Sequence, residues 1–272
     1  MEYNDFEFLQ LLGSGGFGSV YLARYKDGNV FAIKELNLEK YSKILGTFNI
    51  RKVLKEIGME IDVLKRLSTY PTCHPHIVCY YDDFKHDGNY YIVMEYIDGY
   101  TLDNILNIGD YLMDIVKQIL ETLIYIHQKG VAHSDIKPEN LMLGKNDKNV
   151  YILDFGISCL KEECKGFYGT EKYMAPETKN YGIRTISSDI WSLGITIKVL
   201  NNDNNVLLEQ LSNMMLTPVK DRPNATFLLN YLVNNPLYSY SKPTSEMIFV
   251  KSTIDNSTQS LTATEIVPDI GN

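Results

Sequence analysis

Apolar residues in the first hundred positions fall in short β-branched and aromatic runs separated by polar turns. Residues 6–12 read as a strand, 20–25 as a second, and 30–34 as a third after the turn Lys26-Asp27-Gly28-Asn29. From residue 50 to 67 the spacing changes. Ile57, Ile61, Leu64 and Leu67 recur three and four apart, the stripe of a helix with one buried face. Residues 78–81 and 90–95 return to strand text, linked by Lys85-His86-Asp87-Gly88-Asn89. Beyond a hinge at Tyr96-Ile97-Asp98-Gly99 the pattern becomes helical. Residues 111–129 carry Leu112, Ile115, Val116, Ile119, Leu120 and Leu123 on one broad face, closed by Gly130. Residues 141–143 and 150–153 are short strands around a polar turn, and 191–200 and 206–216 are helices flanking Asn201-Asn202-Asp203-Asn204-Asn205. After Tyr238 the text is rich in Ser, Thr and Asn and reads as a flexible tail. Strands followed by helices predict an α+β protein.

Composition narrows the picture without choosing a function. A chain of 272 residues can bury a sizeable core. Its net charge of −8 argues against nucleic acid or an anionic membrane as partner. No run approaches the roughly 18 apolar residues a membrane span needs, and the acidic start Met1-Glu2-Tyr3-Asn4-Asp5 lacks a signal-peptide core. A soluble, cytoplasmic or otherwise intracellular protein is expected. Cys73, Cys79, Cys159 and Cys164 follow no zinc spacing and are too few for a disulfide scaffold, so reduced thiols are expected. His74 and His76 have no evident ligand partners nearby and read as packing or capping residues.

Candidate chemistry gathers at four places. Gly13, Gly15 and Gly18 form G-x-G-x-x-G, with Gly16 inside it, where backbone N–H groups can approach a phosphate. A dinucleotide fold needs a helix directly after such glycines; here strand text follows, so they join two strands of a hairpin. Ala32 and Lys34, two apart on the third strand, share one face beneath that loop. Glu56 and Glu60, one turn apart on the predicted helix, are both candidates to reach Lys34. The stretch His133-Ser134-Asp135-Ile136-Lys137-Pro138-Glu139-Asn140 packs an acid, a cation and a carboxamide between apolar segments, suited to managing a nucleophile, a phosphate and a metal. Asp154-Phe155-Gly156 places an acid directly after a buried strand, a good position for a metal ligand.

These motifs, in this order, resemble the protein kinase family over residues 6–236, joined by Ala175-Pro176-Glu177, Asp189-Ile190-Trp191-Ser192-Leu193-Gly194 and Asp221-Arg222-Pro223. The resemblance implies a two-lobed fold: a small antiparallel β-sheet lobe with one helix at 1–95, a larger mainly helical lobe at 96–237, and the tail at 238–272. It implies ATP and Mg²⁺ as cofactors, with Asp135 the catalytic base and Asn140 and Asp154 the metal ligands. Lys34 would meet the α- and β-phosphates, Glu60 rather than Glu56 would pair with it, and Lys137 would steady the transferring phosphate. Leu12, Val20, Ala32 and Met142 would enclose adenine, Met94 would guard the back of the pocket, and Glu95 and Ile97 would read the adenine edge through their backbone. Leu64, Tyr80, His133 and Phe155 match an apolar stack coupling the lobes. Lys137 and the pair Gly169-Thr170 favour Ser/Thr hydroxyls of a protein substrate. A catalytically silent scaffold and a small-molecule kinase are the alternatives.

Two departures stand out. Ser134 occupies the place of an arginine that normally pairs with an activation-segment phosphate, so activity should not depend on phosphorylation through that contact. The stretch from Asp189 to Arg222 is short, and the helix usual between the two predicted there is missing. Glu177 and Arg222 match a buried ion pair. Asp98, Asp103, Glu139, Glu162 and Glu163 suggest a preference for basic residues around the target hydroxyl.

Overall fold

The computed structural model describes residues 1–15, 18–44, 46, 49–238, 248–250 and 264–266. Strands β1 (Phe6–Ser14), β2 (Gly18–Tyr25), β3 (Val30–Leu36), β4 (Tyr80–His86) and β5 (Asn89–Glu95) form one antiparallel sheet in the order β1-β2-β3-β5-β4. Its register sets Ala32 opposite Met94 and Lys34 opposite Val20 and Ile92. Between β3 and β4 lie α1 (Leu38–Ile44) and α2 (Ile50–Leu67). Asn49 caps α2 by accepting hydrogen bonds from the amides of Arg51 and Lys52. Val53, Ile57, Ile61, Leu64 and Leu67 bury its inner face.

Helix α1 corrects the expectation of a single helix in this lobe. It has only two turns, too few for a periodic stripe, and it is held by local bonds. The Asn37 side chain accepts from the Lys40 amide, and Glu39 pairs with Lys43 one turn on. The first strand after α2 also starts at Tyr80 rather than 78, and β6 (Gly99–Thr101) joins β7 (Leu141–Gly144) and β8 (Val150–Ile152) in a second small sheet.

The second lobe is built on α3 (Gly109–Gln128), α4 (Pro176–Tyr181), α5 (Ile186–Leu200), α6 (Val206–Met215) and α7 (Ala225–Val233), with a two-stranded ribbon of β9 (Cys164–Lys165) and β10 (Ile183–Arg184). Helix α5 starts five residues before the expected position because Ser188 Oγ accepts from the Thr185 amide while the Ser188 amide donates to the Thr185 carbonyl, which closes its first turn. It packs so closely on α6 that a Cβ at Gly194 would lie 2.8 Å from Met215 Cβ. Only the turn at 201–205 separates α5 from α6, so no helix intervenes there. In the tail, β11 (Ile248–Val250) pairs with β12 (Thr264–Ile266), which gives order to part of a stretch expected to be irregular; the rest of it lies outside the described residues.

The cysteine expectation is overturned. Cys73 bonds to Cys79 and Cys159 to Cys164, with Cα separations of 5.3 and 6.0 Å. Neither pairing follows from spacing. Tertiary contacts bring the partners together: residues 69–80 fold back on themselves through bridges from Thr69 to Thr72 and to Tyr80, and Cys159 is pinned to Ala132 by two backbone hydrogen bonds.

His74 and His76 are packing residues here. His74 stacks on Tyr125 with ring centroids 4.3 Å apart, its Nδ1 accepts from the His76 amide, and His76 Nδ1 faces the Val150 carbonyl. Burial, and then the neighbouring His76, push His74 down to about 4. A histidine with a lowered folded pKa stabilises the fold above its unfolded value and loses that contribution as pH falls through 6.5 toward 4. Unfolding by denaturant should therefore show stability falling by roughly 1–2 kcal/mol from this residue between pH 7 and pH 5, the full shift giving the upper figure and solvent screening of the half-buried ring the lower. His74→Gln should flatten that slope; an unchanged slope would refute the assignment.

Candidate active site

The interface between the lobes encloses a cavity of about 360 Å³. Leu12, Gly13, Gly15, Gly18, Val20 and Ala32 close it from the sheet, Met94, Glu95 and Ile97 from the connecting strand, and Met142 from below. Gly16 lies outside the described residues. The cavity also takes in Val78, Tyr96, Thr101 and Leu153, which sequence reasoning did not assign to the site; Val78 and Leu153 lie in predicted strands, Tyr96 in the predicted hinge and Thr101 just beyond it. Gly18 is required by space, since a Cβ there would lie 1.7 Å from the Glu35 carbonyl oxygen. The amide of Gly15 donates to the Gly18 carbonyl at 2.8 Å, which ties the end of β1 to the start of β2 beside the cavity.

At the inner end, Lys34 Nζ lies 2.5 Å from Glu60 Oε1 and 2.7 Å from Asp154 Oδ1. Of the two candidate glutamates, Glu60 makes the pair: it is 2% exposed and sits on the buried face of α2. Burial would lower the Lys34 pKa, but the carboxylates of Asp154 and Glu60 outweigh it and hold the ammonium charged. For Asp154, burial works upward, and the Lys34 ammonium overcomes it and holds the carboxyl down at about 2. Asp154 adopts φ 57°, a left-handed conformation uncommon for a non-glycine residue. Bonds from Lys34 and from the Gly156 amide at 3.2 Å fix it there.

Asp135 and Lys137 stand beside the cavity rather than in its wall, and Asn140 connects the two places. Asn140 Nδ2 donates to the Asp135 carbonyl at 2.8 Å and to Asp135 Oδ2 at 3.0 Å. Lys137 Nζ lies 2.8 Å from Asp135 Oδ2 and donates to Thr170 Oγ1 at 2.7 Å, while the Thr170 amide donates to Asp135 Oδ1 at 2.9 Å. Three donors from two segments thus fix one carboxylate. Asp189 supports this loop from behind. Fully buried on α5, it accepts from the amides of His133 and Ser134 at 2.8 and 2.7 Å and lies 2.9 Å from His127 Nε2. Those bonds hold Ser134 at φ 73°. A lone acid in the first turn of an apolar helix was the signal for this role. Leu64, Tyr80, His133 and Phe155 are all buried, and the rings of His133 and Phe155 meet edge to face at 4.9 Å.

The donor set suits a cation shared with phosphate. Both Asn140 side-chain bonds use its Nδ2, so its carboxamide oxygen is the atom left to ligate, and Asp154 faces the same cavity. The described residues contain no cluster of three or more His, Cys, Asp or Glu suited to a metal. Two protein oxygens completed by phosphates are what a Mg²⁺ site of this kind requires.

A family model described as "Protein kinase domain" matches residues 6–267. The chain is 35% identical over 215 residues to serine/threonine-protein kinase cds1 of Schizosaccharomyces pombe, covering 73% of this chain and 45% of that protein. It is 34% identical to CBL-interacting serine/threonine-protein kinase 18 of Arabidopsis thaliana, covering 72% and 37%. Against CBL-interacting protein kinase 33 of Oryza sativa subsp. japonica it is 32% identical over 261 residues, covering 88% and 55%. The chain thus spans about half or less of the length of these relatives.

Proposed function

The chain belongs to the protein kinase family, and from that premise we propose that it transfers the γ-phosphoryl group of ATP to a Ser or Thr hydroxyl of a protein substrate. The observation that carries this reading is the nearness of two constellations, Lys34–Glu60–Asp154 at the inner end of the cavity and Asp135–Lys137–Thr170 beside it: Asn140 lines the cavity with the first and its side chain bonds to Asp135 of the second. Residues 1–95 and 96–237 act as the two lobes, with 238–272 as an appended tail. Leu12, Val20, Ala32 and Met142 sandwich adenine, Met94 limits its depth, and the backbone at Glu95 and Ile97 reads its edge. The glycine loop covers the phosphates and Lys34 meets the α- and β-phosphates. Mg²⁺ held by Asn140 and Asp154 supplies neutralisation of phosphate charge. Asp135 orients the substrate hydroxyl and takes its proton, and Lys137 offers positive charge to the oxygens of the transferring group. Catalysis is then mainly positioning and electrostatic stabilisation.

The acceptor side of the cleft is acidic. Burial raises the pKa of Tyr173 and the charges of Glu139, Asp103 and Asp135 raise it further, which sets negative charge around that ring on the side of the catalytic loop. Asp98, by contrast, lies 3.4 Å from Lys145. Radiolabelled ATP offered with a basic and with an acidic protein should label the basic one preferentially. Asp154→Asn should abolish labelling of both. Equal labelling by wild type and variant would remove the enzymatic reading and leave a scaffold; preference for the acidic protein would remove the substrate assignment.

A further inference from the structure

Arg184 has no counterpart in the machinery described so far. It lies on β10, just after α4, and is 7% exposed. Its Nη1 donates to the carbonyl of Ile157, the residue that follows Asp154-Phe155-Gly156. Its guanidinium carbon lies 5.1 Å from the centroid of the Tyr168 ring. Its backbone pairs with Cys164, which is disulfide-bonded to Cys159. Among the described residues no carboxylate forms an ion pair with it, and its Nε is buried without a partner.

The contrast with Arg222 is instructive. That guanidinium is also buried, but Glu177 and the carbonyls of Thr217 and Ser187 satisfy it. Among the described residues Arg184 donates one side-chain hydrogen bond, to a carbonyl, and stands over one ring, with Glu56 and Asp189 acting on its charge without bonding it, an arrangement that costs free energy. Desolvation accordingly pushes its pKa down. What the charge touches suggests what offsets that cost. One contact reaches the carbonyl beside the Asp154 triplet, and the other reaches Tyr168, two residues before Thr170, whose amide fixes Asp135. A single side chain thus bridges the metal-ligand end and the acceptor end of the segment between them. Ser134, on the catalytic loop, offers no charge for this task, and its own Oγ is buried without a partner.

Resting on the kinase reading, we propose that Arg184 is a positioning residue that orders the segment from Asp154 to Thr170 for protein-substrate phosphorylation, and that it does so without a phosphate on that segment. The carbonyl of Ile157 and the ring of Tyr168 are both on the segment, so the guanidinium holds two points of it without an added anion. The segment is further tied by the Cys159–Ala132 backbone pair and by the Gly166 amide donating to the Gly182 carbonyl.

The test uses the full chain, untreated and phosphatase-stripped, with Arg184→Met and Arg184→Lys, assayed with radiolabelled ATP and a basic protein. Stripped wild type should stay within about twofold of untreated. Arg184→Met should keep its KM for ATP within about twofold while kcat/KM for the protein falls about tenfold or more, and Arg184→Lys should recover part of that loss. Thermal melting of each variant separates this split from simple unfolding, which would lower every parameter with the folded fraction. Should Arg184→Met not fold, Arg184→Lys and Arg184→Gln carry the same comparison. Unchanged kcat/KM for the protein in the folded variants overturns the proposal. So does a tenfold loss in stripped wild type, which would make Arg184 part of a phosphate receptor. Wild type that transfers no phosphate at all overturns the proposed function itself, and this inference with it.

Discussion

Asp135→Asn should lower kcat by about 10²–10⁴-fold, the range for loss of a positioned general base, while the protein still folds and binds ATP with wild-type affinity. Every protein group around this carboxylate is a donor: the Thr170 amide, Lys137 Nζ and Asn140 Nδ2. Asparagine would have to turn its own NH₂ toward one of them, so the substitution removes the proton acceptor and also breaks its alignment. Binding of ATP should survive because Asp135 lies outside the wall of the nucleotide cavity. The side chain is 12% exposed and held through its oxygens alone, and asparagine matches it in size, so the protein should fold with only a modest loss of thermal stability. Steady-state phosphorylation together with an ATP-binding titration checks both halves. A loss of only a few fold in kcat would mean that Asp135 organises the loop without accepting the proton.

Much of this site could be read from the chain because its chemistry is encoded in short local segments. Asp135, Lys137 and Asn140 lie within one loop, and Ala32 and Lys34 share a strand face through simple alternation. The choice of Glu60 over Glu56 was open on spacing alone, and it came from matching the helix end to a family pattern. Burial in the folded protein agrees with that choice, since the face of α2 that carries Ile57, Ile61 and Leu64 also carries Glu60. Other features needed three dimensions. Arg184 belongs to no motif in the sequence, and only the ribbon of β9 and β10 turns it inward toward Ile157 and Tyr168. The disulfides were missed for the same reason, because bridges formed by the folded backbone, rather than sequence spacing, bring each pair together. Helix α1 was missed because a two-turn element fixed by one side-chain cap and one ion pair leaves no periodic trace.

The ion pair between α4 and the stretch before α7 should have the largest effect on stability. Arg222 Nη1 lies 2.6 Å from Glu177 Oε1 and Nη2 lies 3.1 Å from Oε2, with the Arg222 side chain fully buried and its ring neighbour Trp191 at 5.2 Å. Removing one partner leaves the other charge buried and unpaired, which costs about 3–5 kcal/mol. Arg222→Met should therefore destabilise the chain by that amount in denaturant titration, a fall in melting midpoint on the order of 10 °C for a protein of this size. Adding Glu177→Gln should restore part of the loss, because the stranded carboxylate is then neutral. Burial works to raise the Glu177 pKa, and the hydrogen bond from Arg222 lowers it overall. A depressed folded pKa contributes stability above the unfolded value near 4.5, and that contribution is lost as pH falls below it. Wild type should thus lose stability on acidification in this window, and Arg222→Met should lose less from this residue, since its Glu177 no longer has the cation that favoured ionisation. A variant as stable as wild type, or a double variant no better than the single one, would show that the pair does not fasten α4 to the helical lobe.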